Sequence, residues 1–314
     1  MDTLSTPSVF SRKKVAYACA TLCCLLWGSS YPAIKSGYQL FHIATDDVPT
    51  KIVFAGYRFL FAGVLLLLFA LAQRKPIARL NGRQYGQLAL LGLTQTSIQY
   101  AFFYVGLAFT TGIKGSIMNA TSTFFSVLLA HFIYQNDRLS YNKTIGCVLG
   151  FAGVMLVNFT DSLSDFSFVW CGDGFVVLAA FILSAATLYG KQISQTVDPT
   201  VMTGWQLAFG GLVLVVGGYL TGGTLVIHSM TALMVLAYLT LLSSVAFALW
   251  SVLLKYNRVS MIAPFSFVIP IAGTVLSAIF LGENIFELKY AIALVLVCFG
   301  IGWVNRVSIV RQAG

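Results

Sequence analysis

Charge is what this chain has least of. Only 9% of its 314 residues are Asp, Glu, Lys or Arg, and ten are acidic. Those ten (Asp2, Asp46, Asp47, Asp137, Asp161, Asp165, Asp173, Asp198, Glu283 and Glu287) fall outside the long apolar stretches or at their ends. Exporters of lipophilic cations generally need an acid embedded in the membrane to bind charge and exchange protons, and the sequence offers none. Histidines number three, with no His-Glu-x-x-His element and no aspartates paired between two apolar segments. His131 could approach a serine such as Ser126, but no carboxylate stands nearby to orient it. The chain is therefore not expected to be an enzyme. Six cysteines form no C-x-x-C pair and no Cys/His cluster, so neither a disulfide framework nor a metal site is expected, and no cofactor. No polar connection is long enough to bury a core of its own.

What fills the chain is hydrocarbon. The hydrophobic fraction is 58% and mean hydropathy is +0.85, far outside soluble composition. A membrane span needs about 20 mostly apolar residues in a helix. That length marks spans near 15–37, 52–73, 84–106, 112–134, 143–160, 172–191, 199–221, 230–254, 260–281 and 286–305. The expected fold is an all-α integral membrane protein with ten transmembrane helices.

Lysine and arginine collect on alternate connections. Arg12, Lys13 and Lys14 precede span 1, and Arg74, Lys75, Arg79 and Arg83 follow span 2. Arg138 and Lys143, then Lys191, then Lys255 and Arg258, and finally Arg306 and Arg311 continue the pattern, against Lys51, Lys114 and Lys289 on the other side. The positive-inside rule puts both termini in the cytoplasm of a cell membrane. The net charge of +9 is then a topology signal whose partners are anionic lipid headgroups, with no nucleic acid implied. Arg12-Lys13-Lys14 ahead of an apolar run and Gly28-Ser29-Ser30 imitates a cleavable signal peptide. Its removal would put the four cations after span 2 on the wrong side, so span 1 is expected to stay.

Shifted by 147 residues, the chain matches itself. His131–Asn158 then lies over Ala278–Asn305, and Arg58-Phe-Leu-Phe-Ala-Gly over Trp205-Gln-Leu-Ala-Phe-Gly. Five spans per half is an odd number, so the second half must enter from the opposite face. This is an inverted-topology repeat, an arrangement secondary transporters use to alternate access around a midplane site. The expected organisation is an N-tail 1–14, a first repeat 15–160, a join 161–171, a second repeat 172–306 and a C-tail 307–314.

Leu26-Trp27-Gly28-Ser29-Ser30-Tyr31-Pro32-Ala33-Ile34-Lys35 ending span 1, Tyr57-Arg58-Phe59-Leu60-Phe61-Ala62-Gly63 opening span 2, and Leu281-Gly282-Glu283 ending span 9 resemble the tandem EamA repeats of the drug/metabolite transporter superfamily. The likeness covers about residues 15–306. It implies ten spans, cytoplasmic termini and, for many relatives, export of amino acids or related metabolites. After span 4 the family's Leu-Gly-Glu is replaced by Tyr134-Gln135-Asn136-Asp137, so roles there do not carry over. The direction of transport rests on the resemblance alone.

Polar groups in hydrocarbon face a cavity or another helix. Gln95 and Gln99, four apart on span 3 beside Tyr100, share one face and suit either a zwitterionic solute or bonding between helices. Asn119 on span 4 joins Ser122, Thr123 and Ser126, and its amide is costly to bury unpaired. Lys35 and Arg58 can either snorkel to the interface or form a positive vestibule, with Lys35 the stronger candidate because it follows Pro32. Trp27 and Trp250 suit the apolar parts of a solute or ordinary packing. Pro264 and Pro270 interrupt span 9 and mark it as the moving element. The expected function is a carrier of small zwitterionic or anionic solutes, amino acids or close metabolites. An exchanger of phosphorylated metabolites, which would need Lys35 on the phosphate, and a channel-like facilitator are the alternatives. Substrate identity, coupling ion and oligomeric state are not legible.

Overall fold

The computed structural model describes residues 8–109, 112–157, 168–281 and 288–306, and every regular element among them is helical. Helices α1 (Lys13–Leu40) and α2 (Val48–Ala72) open the chain. α3 is continuous through Gly82–Leu91, Gly92–Ile98 and Gln99–Ala108. It is followed by α4 (Gly112–Ile133), α5 (Tyr141–Val157) and α6, which joins Trp170–Gly174 to Phe175–Ile193. Then come α7 (Pro199–Leu220), α8 (Met230–Tyr256), α9 (Val259–Ile262, Ala263–Phe267 and Val268–Leu281 without a gap) and α10 (Leu288–Arg306). By length and composition four of the described helices can cross a membrane: Val48–Ala72, Trp170–Ile193, Pro199–Leu220 and Met230–Tyr256. Gly282, Glu283, Asn158, Asp2, Asp161, Asp165, Glu287 and Arg311, all used above, lie outside the described residues.

Polar side chains set the helix starts. Asp47 accepts from the Thr50 N–H at 3.0 Å, Asp198 from those of Thr200 and Val201, and Ser229 from that of Ala232. Each satisfies orphan amides of a first turn. Asn81 and Gln84 close a reciprocal capping box on α3.

The helices pack through small residues. α2 and α7 lie antiparallel along much of their length. A Cβ on Gly63 would stand 2.2 Å from the Ala208 nitrogen, and one on Gly211 2.3 Å from the Leu60 nitrogen. No side chain fits either position, so glycine is what lets the two backbones touch. α5 and α10 make a second antiparallel pair, meeting where Gly146 faces Gly300. α1 packs on α8 and α9, and α6 packs on α3 and α4. Outside, large apolar side chains such as Leu68, Leu220, Phe280 and Phe299 are exposed, as a lipid-facing wall requires.

The connections gather at two ends. At one, Asn257 Nδ2 donates to Phe10 O at 3.0 Å, Lys75 meets Asp198 at 3.0 Å, and Asp137 takes the Ser260 N–H at 3.0 Å. At the other, the Thr224 N–H donates to Thr50 Oγ1 at 3.0 Å and the His42 and His228 rings touch at 4.9 Å.

Two helices break their regular winding. α9 runs as a 3₁₀ segment at Ala263–Phe267, with Pro264 in its first turn and Pro270 just inside the following α segment. α3 carries a π-helical stretch at Gly92–Ile98 that hydropathy gave no sign of. It lies where Gly92 and Gly210 bring α3 and α7 together and Ser97 Oγ donates to Gly210 O at 3.0 Å. Such wide turns often mark functional positions.

Candidate functional site: a central cavity among the helices

A cavity of about 210 Å³ lies among α1, α2, α3, α4, α6, α7, α8 and α9. A single water needs only about 10–15 Å³, so the cavity has room for several waters or a small solute. Trp27 of α1 forms part of its wall, held edge-on against Trp250 at 5.1 Å and Phe247 at 5.3 Å on α8. α1 can approach α9 there because Gly28 lies against Ala272 and Gly273.

The π-helical stretch of α3 delivers Gln95, and Gln99 opens the α-helical segment that follows it. Gln95 Nε2 donates to Thr187 Oγ1 of α6 at 3.3 Å. Gln99 lies 4% exposed on the same wall, beside Tyr100. Across from them α4 contributes Asn119 and Thr123, and α7 contributes Gln206. Five buried atoms of this lining have no hydrogen-bond partner within the described protein: Trp27 Nε1, Gln99 Oε1, Asn119 Oδ1, Thr123 Oγ1 and Gln206 Nε2. Buried polar groups are ordinarily paired, so five unpaired atoms around one cavity leave that cavity with free donors and acceptors. Indole and amide N–H groups donate, amide oxygens accept, and the threonine does both.

Arg58 supplies the charge. It is 4% exposed, its Nε donates to Ser243 Oγ of α8 at 2.7 Å, and its guanidinium lies 5.1 Å from the Phe59 ring centre. Among the described residues no carboxylate lies within 4 Å of it, and none lines the cavity. The interfacial snorkelling that its sequence position allowed is thus overturned: the side chain turns inward to a serine. Lys191, which the sequence reading counted only toward sidedness, also lines the cavity.

Of the residues the sequence singled out, Trp27, Gln95, Gln99, Tyr100, Asn119, Trp250 and Pro270 line the cavity. Lys35 does not. It is exposed on α1 and outside the lining, as a long charged side chain near a helix end that reaches the polar boundary would be, so it is not a solute contact in this arrangement. Pro264 is buried in the 3₁₀ segment, likewise off the lining. His131 accepts the Leu139 N–H on Nδ1 at 3.0 Å, at the end of α4. Sequence reasoning missed Gln206 and Lys191. Gln206 stood in view, one residue past the Trp205 that overlies Arg58, as the only amide in an apolar run.

The EamA-like transporter family model matches residues 14–159 and 170–306. The chain belongs to that family of membrane transporters, a class whose members move solutes and catalyse no covalent chemistry. Among curated relatives, a probable amino-acid metabolite efflux pump of Escherichia coli (strain K12) is 26% identical, with 92% of this chain and 97% of that protein covered. One of the same description from Salmonella typhimurium is 26% identical over 87% of this chain and 89% of the relative. An uncharacterized transporter of Archaeoglobus fulgidus is also 26% identical, covering 83% and 87%. A solved crystal structure superposes with a TM-score of 0.76 at 17% identity, over 92% of this chain and 97% of that one. That likeness bears on the fold alone.

Proposed function

We propose that the protein is a carrier that moves a small carboxylate-bearing solute, an amino acid or close metabolite, outward across the cell membrane by alternating access. The observation that carries this is Arg58: a buried guanidinium facing the cavity with no acid among the described residues to answer it. Leaving a buried ion unpaired costs about 3–5 kcal/mol, and a solute carboxylate, the natural fork-to-fork partner of arginine, would recover part of it. The unpartnered amides of Gln99, Asn119 and Gln206 would bond the solute's amino or hydroxyl groups, with Trp27 and Trp250 against its apolar part. Outward direction draws on the relatives described as amino-acid metabolite efflux pumps.

For topology we propose ten spans in two inverted five-helix repeats, residues 15–160 and 172–306, with both termini cytoplasmic. The antiparallel pairing of α2 with α7 and α5 with α10, each five helices apart, supports it, since inverted repeats place equivalent helices in opposite directions. Packing of α1 on α8 and α9, mirrored by α6 on α3 and α4, supports it too. Pro264 and Pro270 would let α9 flex as the halves rock. The phosphorylated-metabolite alternative loses its anchor, because Lys35 lies outside the cavity.

Reconstitution tests the function. Proteoliposomes loaded with an amino-acid mixture should take up labelled amino acid by counterflow, with trans-stimulation that a channel would not give. Protection of overexpressing cells against lipophilic cations alone, with no amino-acid counterflow, would refute the charge argument. For topology, His228→Cys should react with an impermeant thiol reagent from outside and Arg79→Cys should not.

A further inference from the structure

A second cavity, of about 510 Å³, lies at the end of the molecule that holds the N-terminal turn and abuts the central one through a shared lining residue. One residue, Lys191 in the last turn of α6, belongs to both linings. The second cavity is otherwise walled at this end by Lys255, Arg258, Gln195, Asn136 and Asp137. Asp137 is the only acid there among the described residues, and its charge is already answered. Lys143 Nζ reaches it at 2.7 Å, the Ser260 N–H donates to it at 3.0 Å, and the Ser260 hydroxyl also bonds it. The mouth therefore keeps a positive excess.

Lys191 itself is held by neutral groups. Its ammonium donates to Asn257 O at 2.5 Å and to Leu254 O, both at the C-terminal end of α8, and lies 5.6 Å over the Tyr134 ring. These partners fill its hydrogen bonds and favour a cation through the helix end; the field of Asp137 reaches it too, but Asp137 forms its ion pair with Lys143 and not with Lys191. A bland account is that Lys191 merely caps α8. That account leaves unexplained why the capping residue is the one that lines both cavities, the inner of which also holds Arg58.

We infer that Lys191 is a charge filter at the neck between the mouth and the central cavity. An anionic group gathered by Lys255 and Arg258 replaces the carbonyl partners of Lys191 with its own oxygens, then passes to Arg58; a cation meets repulsion at each stage. This deepens the carrier reading and rests on it, yet its test needs no transported solute.

The test places a thiol beyond the neck. Ser266 of α9 lines the central cavity, and Ser266→Cys in a chain whose six cysteines are replaced by alanine gives one reactive site. Anionic sulfonatoethyl and cationic trimethylammonium-ethyl methanethiosulfonate are similar in size. Each is attacked by the thiolate, forming a mixed disulfide and releasing methanesulfinate. Their rates, normalised to a free thiol, are measured in inside-out and right-side-out membrane vesicles, so the face presenting the mouth is identified by the faster reaction.

We expect the sulfonate to be favoured, and Lys191→Met to cut that preference on the order of 10-fold, as one fixed charge in a narrow passage should. Lys191→Arg should retain it. Arg258→Gln, an exposed change that does not endanger folding, should lower it about 2- to 3-fold at low salt. Equal rates for the two reagents, faster entry of the cation, or no reaction at position 266 from either face would overturn the inference. So would a Lys191→Met protein that loses thermal stability while keeping the wild-type preference, the outcome of a pure cap. A preference abolished by Arg58→Met but untouched by Lys191→Met would sink the filter and leave the carrier standing.

Discussion

Arg58→Met puts the carrier mechanism at most risk. Methionine keeps a long, flexible side chain beside Phe59 and removes the only cation that α2 contributes to the cavity. In the present arrangement Ser243 Oγ accepts from Arg58 Nε at 2.7 Å while donating to Leu239 O at 2.8 Å. After substitution its hydroxyl proton is still used, so no buried donor is orphaned. A buried cation without a carboxylate also disappears. Thermal stability in detergent should therefore hold or rise, against the usual trend for a residue 4% exposed. Binding should move the other way. Hydrogen bonds to charged groups contribute about 1.5–3 kcal/mol, so the dissociation constant of the amino acid found by counterflow should rise roughly 10- to 150-fold. Arg58→Lys, which keeps the charge and loses the planar fork, should fall between. Calorimetric titration and a melting curve on the same preparations give both quantities. Unchanged affinity in Arg58→Met, or a large fall in melting temperature, would show that Arg58 is a structural brace and that the solute binds elsewhere.

Three further outcomes follow from other parts of the fold. Gln99→Ala removes one unpartnered acceptor and should weaken solute binding by roughly 0.5–1.5 kcal/mol, about 2- to 13-fold, with little change in melting temperature; normal binding would take Gln99 out of the site. Pro264→Ala restores a backbone N–H to the 3₁₀ segment and stiffens α9 without touching the lining, so exchange should slow while affinity stays near wild type. Pro270 lines the cavity and is the poorer probe of flexing alone. At the connection between α6 and α7, burial works to raise the Asp198 carboxyl, but the hydrogen bond and charge of Lys75 and the amides of Val201 and Thr200 outweigh it and hold it below the ordinary value. A depressed acid stabilises the fold above its unfolded pKa, about 3.9, and loses that stabilisation as pH falls through the lower folded value. Melting temperature should drop on acidification below about pH 4, and less so in Asp198→Asn; identical acid limbs would assign the drop to other groups.

Much of the site was legible because polarity in a hydrophobic run is expensive and so informative. Gln95, Gln99 and Asn119 stood out for that reason, and all three line the cavity. What escaped were properties of depth and direction. Lys35 and Arg58 sit alike with respect to their hydrophobic runs; only packing tells that one faces out and the other reaches Ser243 on a helix 185 residues away. Lys191 sits at the end of its run, where a cation has an ordinary topological meaning, and its second role depends on α8 ending beside it. The π-helical stretch of α3 has no period that hydropathy could detect over seven residues. Its position follows from the close approach of Gly92 and Gly210, which no local pattern specifies.

The charge of the cavity bears finally on what drives transport. With Arg58 and Lys191 on its wall and no acid in its lining among the described residues, the site suits a solute that brings negative charge. Bacterial and other cell interiors are electrically negative, and one elementary charge crossing 100 mV exchanges about 2.3 kcal/mol. A solute of net charge −1 leaving the cell runs down that field. If it moves without a compensating ion, 100 mV alone sustains an outside-to-inside ratio of roughly 50-fold. A zwitterion gains nothing from the same field. The amino acid carried should therefore divide the possibilities. In right-side-out proteoliposomes given an interior-negative potassium diffusion potential with valinomycin, efflux of an acidic amino acid such as glutamate should accelerate, while efflux of a neutral one such as alanine should not. Alanine responding as strongly as glutamate would mean that a coupling ion carries the charge and that the uncompensated cations of the cavity have another purpose. Efflux of glutamate indifferent to the potential would mean that a proton or cation travels with it, through a site that the cavity wall does not display.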